Sequence, residues 1–425
     1  MPKSPLPRPM AQARTRTAYW VMPTIRVPLA AALLALAACA RPERAAPADY
    51  LFVWTASADS TQPDFLAVLD VTEDSVHYGR LVTTLPVPGR HNVPHHTEHE
   101  MPADGLLFAN GFATGQTFIF DLTRPEAPRL AGQFGDVEGY AHPHSYLRMP
   151  GGNVLATFQM RHDSAGMHPG GLVELTPTGQ PVRTASADVP VPLEGLRVYS
   201  AGIVPALDRV VTTTTDMEAD YPASRLVQVW RLSDLSVLAT VPLPDGAAGG
   251  EGQLSAEPRV LADGKTVLVS TFSCGLYLME GLEGATPSAR LVASFPRKER
   301  TYCAIPVVVG RYYLVTVPAW SAVVALDVTD PAAPREVSRV VLDSTDVPHW
   351  ISVAPDRRRV VLTGYGTLEH KVLILRFDPE SGQLALDTRF REAGAAEPGF
   401  RMDNQAWPHG GNAPGVPHGA VFSRP

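Results

Sequence analysis

The chain has 425 residues, 45% of them hydrophobic and 19% charged, with a formal net charge of −7. An acidic balance without a basic run argues against a nucleic-acid partner, because phosphate binding needs a positive surface. Forty-one Pro and 34 Gly are many for a helical protein and suit a fold of short strands and frequent turns.

The N-terminal stretch differs from the rest. Arg14, Arg16 and Arg26 precede an apolar run from Val27 to Ala38, too short to span a bilayer comfortably. It ends in Leu36-Ala37-Ala38-Cys39, which resembles the lipobox of bacterial lipoproteins, where a signal peptidase cuts before a lipid-bearing cysteine. Residues 1–38 are therefore expected to be a signal peptide, Cys39 the lipidated residue, and 39–49 a tether. That places the protein in the periplasm, anchored to the bacterial envelope, with no other membrane contact. The alternative is an ordinary secretory signal with an incidental cysteine.

From residue 50 onward the pattern repeats. HTEHEMPADGLLFA from His96, HSYLRMPGGNVLAT from His144 and HWISVAPDRRRVVL from His349 align without a gap. Each opens on His, reaches Pro six positions on, turns, and continues as an apolar strand. Tyr199, Ala256 and Cys303 open further units without His, and His418 opens a last one near the C-terminus. Units of about 40–50 residues with four strands each are the mark of propeller blades. The prediction for 50–425 is an all-β, seven-bladed β-propeller, with an eighth blade only if 378–415 hides a degenerate unit. The unit at His418 has room for one strand, so its blade needs strands from 50–56, 65–71 and 78–85. Closing the ring from both termini removes exposed sheet edges.

In a propeller the first strand of each blade lines the axis. His96, His144, His349 and His418 are then expected to converge at one end, with His95 and His142 beside them. Neutral imidazoles suit copper or zinc better than calcium or magnesium. The alternative for each histidine is a turn cap without metal. Glu98 is a candidate base, or a partner that orients an imidazole. Cys303 shares the ring register, and in an oxidising compartment it is also a candidate disulfide partner of Cys274. HHTEHE lacks the spacing of a zincin helix. The 378–415 stretch, just before His418, is a candidate lid.

DFLAVLDVTEDSVHYGRLVTTLPVPGRHNVPHH (64–96), FIFDLTRPEAPRL (118–130), and HPHSYLRMPGGNVLATFQ with GGLVEL (142–159 and 170–175) resemble the selenium-binding protein family, which includes the methanethiol oxidases. The resemblance implies a seven-bladed propeller and, in the oxidase branch, copper. Its ligands would be His95 and His96, a middle histidine that is either His142 or His144, and His418. It further implies conversion of methanethiol, oxygen and water to formaldehyde, hydrogen sulfide and hydrogen peroxide. This chain departs from the family where a cysteine-bearing segment should follow the His pair: TEHEMPADG (97–105) has none. Selenium binding through that residue is thereby excluded, and thiol oxidation would rest on copper alone or on Cys303 as a ligand or redox thiol. Two other classes stay open: a non-catalytic metal-binding or interaction propeller, and a hydrolase or lyase with a divalent metal on the axis.

Overall fold

The computed structural model describes residues 48–189, 196–217, 224–296, 302–364, 370–403 and 405–424. The expected signal peptide, Cys39 and nearly all of the tether lie outside them. No helix among the described residues is long and apolar enough to cross a membrane.

The described chain is a ring of seven antiparallel sheets, the predicted propeller. The innermost strands of blades one to seven are Pro94–Thr97, Tyr140–Arg148, Val198–Val204, Ser255–Val260, Pro306–Val309, Pro348–Val353 and Gly415–Phe422. Burial explains the sequence pattern of each blade. Its middle strands are covered on both faces by neighbouring blades, so Leu106–Gly111 and Gln116–Asp121 are buried almost throughout. The outer strand Arg129–Phe134 alternates between exposed and half-buried residues, since one of its faces meets water.

Blade seven closes the ring as predicted. Gly415–Phe422 pairs with Tyr50–Ser57, which continues into Phe65–Asp70 and Leu81–Pro86. Tyr50 and Ser423 lock the seam, with the Tyr50 amide donating to Ser423 Oγ at 2.9 Å and the Ser423 amide to the Tyr50 carbonyl at 2.7 Å. Arg359 clamps it from blade six through Asp49 (2.9 Å) and the Val71 carbonyl (2.7 Å). Burial of Phe422 and Val421 adds about 1.5–3 kcal/mol each.

The stretch 378–415 does not form a separate blade. Leu384–Leu386 is the outer strand of blade six. Beyond it, Phe390, Phe400, Met402 and Trp407 pack into the core that blades six and seven share, with Trp407 4.6 Å from the Phe65 ring. These anchors hold it in the blade interface rather than free to serve as a lid.

Cys274, in a turn of blade four, and Cys303, on the approach to blade five, form a disulfide with Cα atoms 4.9 Å apart. This corrects the expectation that Cys303 acts as a ligand or redox thiol: its sulfur is already bonded, and the residue is buried. The crosslink closes a loop over a separation of 29 residues. The Cys274→Ser/Cys303→Ser variant is therefore expected to lose about 3 kcal/mol of stability. The check is an earlier urea midpoint, with no further loss on adding reductant.

Candidate metal centre

The four register histidines share a local device. At each one the inner strand slips against its partner, between Pro94 and Thr97, Pro143 and Tyr146, and Pro348 and Trp350, and opposite Val53/Thr55 for His418. Proline cannot donate to the ladder, and a bulge re-aims the side chain beside it. The Pro-His dipeptides of the repeat are thus bulges that turn imidazoles toward the axis. The same slip occurs at Tyr199 and at Glu257, where no histidine stands.

Five histidines meet there. His95 stacks on His96 (4.2 Å between ring centroids) and on His418 (4.3 Å). His144 lies 4.4 Å from His96, and His349 lies 4.8 Å from His418. Ligand nitrogens of His95, His96 and His349 fall within 4.8 Å of one another. Gly419 makes the closing strand fit, since a Cβ there would sit 2.8 Å from the His95 carbonyl and the Thr97 amide.

The backbone sets the tautomers. His144 Nδ1 donates to the Tyr199 carbonyl at 2.9 Å, and His418 Nδ1 to the His95 carbonyl at 2.6 Å. In both rings Nε2 then carries the lone pair, the arrangement found in metal-binding histidines whose other nitrogen is tied to a carbonyl. Burial, helped by the neighbouring imidazoles, holds His95, His96 and His349 well below the usual histidine pKa. Burial lowers His144 to about 3 and His418 to about 4, against the opposing pull of their carbonyl partners. All five are neutral at pH 7.

The donor set fits a borderline or soft cation. His95 Nδ1, His96 Nε2 and His144 Nε2 are buried without a protein partner, an arrangement that costs free energy unless a bound group engages them. Aromatic rings wall the cluster: Tyr199 on His144 (4.0 Å), Trp350 on His96 (4.9 Å), Phe112 on His95 (5.5 Å) and Tyr302 on His349 (5.9 Å).

A belt of small polar side chains holds the bulges, and sequence reasoning missed it. Asn110 Nδ2 donates to the Pro143 carbonyl, and the hydroxyls of Thr157, Thr213, Thr316 and Thr363 donate to the carbonyls of Tyr199, Ala256, His349 and His418. Each donor lies on the second strand of one blade and each acceptor on the first strand of the next. The signal was a Thr or Asn on the second strand in five of the seven blades, but such residues are common in strands.

Two further expectations are corrected. Glu98 does not orient an imidazole. Its carboxylate accepts from Arg148 Nε at 2.7 Å and from the Phe108 amide at 3.0 Å, and it lines a cavity at the other end of the axis. Burial raises its pKa to about 7, against the pull of Arg148. His142, at φ +55°, is half-buried beside Gly115 and takes no part in the ring contacts that join the other five. Of the two middle candidates, it is His144 that reaches the axis.

Fold and site together define a seven-bladed β-propeller with a buried five-histidine centre on its axis. No protein-family profile matches the sequence. The chain is similar to a methanethiol oxidase from Hyphomicrobium sp., 29% identical over 170 residues. That match covers 39% of this chain and 38% of the relative, so it spans well under half of either. In structure the chain resembles a hypothetical selenium-binding protein from Sulfolobus tokodaii, with TM-score 0.69 and 16% identity, over 89% of this chain and 94% of that one. It also resembles the periplasmic gluconolactonase of Pseudomonas aeruginosa, with TM-score 0.59 and 14% identity, over 89% and 99%. These two likenesses are of fold alone. The oxidase match and the shared propeller support a distant relationship to the selenium-binding protein family.

Proposed function

We propose that the chain is a copper-dependent, methanethiol oxidase-like enzyme. The observation that carries this reading is the convergence of five neutral, buried imidazoles, three of them with a ring nitrogen that has no protein hydrogen-bond partner. His95, His96, His144, His349 and His418 would hold the ion. When bound, copper would supply a soft, redox-active centre with affinity for thiolate sulfur. The backbone carbonyls of Tyr199 and His95 keep His144 and His418 in one tautomer and orientation. Phe112, Tyr199, Tyr302 and Trp350 form an apolar wall that excludes water and suits a small, uncharged sulfur compound.

The reaction would take methanethiol, oxygen and water to formaldehyde, hydrogen sulfide and hydrogen peroxide. The expected result is copper near one per chain and peroxide release on adding methanethiol. Metal-free protein with an intact fold, or zinc in place of copper with no peroxide, would overturn this reading.

A second reading is a non-catalytic metal-binding propeller. It is favoured by the lack of cysteine in 97–105 and by the engagement of Cys303 in a disulfide, which together leave no free thiol among the described residues. The disulfide also supports an oxidising compartment, in keeping with a lipid-anchored periplasmic protein modified at Cys39.

A further inference from the structure

The axis has a second end, separated from the histidines by a polar plug. Trp350 lies between the rings of His96 and His99, stacked on His99 at 4.2 Å and 5°. Arg259 Nη2 donates to His99 Nε2 at 2.8 Å. A guanidinium only donates, so His99 Nδ1 carries the proton and donates to the Ile351 carbonyl at 3.2 Å. Arg259 Nη1 pairs in turn with Glu257 Oε2 at 2.6 Å, which also accepts from Ser200 Oγ at 2.6 Å. Residues of four blades thus cross the channel and close it.

Beyond the plug lies a cavity of about 730 Å³, lined by the far ends of the inner strands and the turns that follow them. That volume is typical of a small-molecule site. Its walls are largely apolar, with Met101, Ile203, Val307 and Val353 among them. The acids in the lining are mostly committed. Glu98 accepts from Arg148 and the Phe108 amide, and Asp104 from Arg148 and the Leu106 amide. Glu100 sits exposed and solvated. Two of the arginines in the lining keep donor capacity to spare. Arg259 Nη2 has a second N–H beyond the one given to His99, and Arg424 bonds the Met101 carbonyl only through Nε.

We propose that this chamber binds a small organic anion with an apolar body, a medium-chain carboxylate, its chain on the apolar walls and its head on Arg259 and Arg424. The site is independent of the histidine centre and of any reaction there.

The test is calorimetric titration of the full chain at pH 8 with hexanoate, hexylamine and hexanol. Hexanoate is expected to bind at least tenfold more tightly than hexylamine. Arg424→Gln, an exposed change that spares the fold, is expected to weaken hexanoate at least threefold and leave hexanol unaltered. Ile203→Trp, which puts an indole into the chamber where the chain would lie, is expected to weaken hexanoate more than tenfold while copper stoichiometry stays as in the parent protein. Absence of hexanoate binding, equal affinity for acid and amine, or undiminished binding in Ile203→Trp would overturn the proposal, whatever the outcome at the histidines.

Discussion

The His96→Ala/His418→Ala protein is expected to lose tight binding of copper or zinc. The two rings come from the neighbouring blades one and seven, on strands far apart in sequence, and His418 also fixes the His95 carbonyl through its Nδ1–H. A four-ligand site in a small fold contributes roughly 10–16 kcal/mol of apparent binding free energy. Two ligands lost then correspond to a fall in affinity of roughly a thousandfold or more, read by competition with a chelator. His142→Ala is the control. Its ring is not part of the cluster, and its affinity should match that of the parent. Should the double variant fold poorly, His144→Gln alone is expected to weaken binding at least tenfold. Stoichiometric metal at parental affinity in the double variant would show that the cluster is not the site.

Metal-free protein is expected to unfold cooperatively near pH 5. In the unfolded chain each histidine titrates near 6.5, whereas in the fold all five cluster histidines are held lower, His418 to about 4 and His144 to about 3. Below pH 6.5 the unfolded state therefore binds more protons than the native state, and stability falls as pH falls. Each group contributes at most about 1.4 kcal/mol per pH unit, so five acting together contribute about 7. His99, lowered by burial and by Arg259, acts in the same direction. Glu98, raised to about 7, acts in the opposite direction and offsets one of them. Against a margin of roughly 5–15 kcal/mol, the fold fails within about two units. Circular dichroism during acid titration gives the midpoint, and bound metal should move it lower by keeping the imidazoles neutral. A metal-free midpoint below pH 4 would mean that the cluster takes up protons, and water with them, without unfolding.

Much of this architecture was legible in the repeat. The His-to-Pro spacing marks a bulged strand followed by a turn, and a bulge is local enough to leave its trace in a few residues. Ring closure could be read because a lone strand after His418 demanded partners that only 50–85 could supply. Other features depend on distances that no local pattern encodes. The Cys274–Cys303 bond needed two adjacent blades to bring their Cα atoms to 4.9 Å. Glu98 was misplaced because two residues along an inner strand carry a side chain past the cluster, toward Arg148 and the far cavity. His142 and His144 are separated by one proline, and only the slip between Pro143 and Tyr146 shows which of them turns inward.

The strand that closes the ring also carries His418, a few residues from the last one described. The cluster is therefore complete only when the closing strand is seated, since the fifth imidazole arrives with it. An ion held by all five rings would in turn pull the closing strand onto its neighbour. Binding at the cluster and closure of the ring would then stabilise one another.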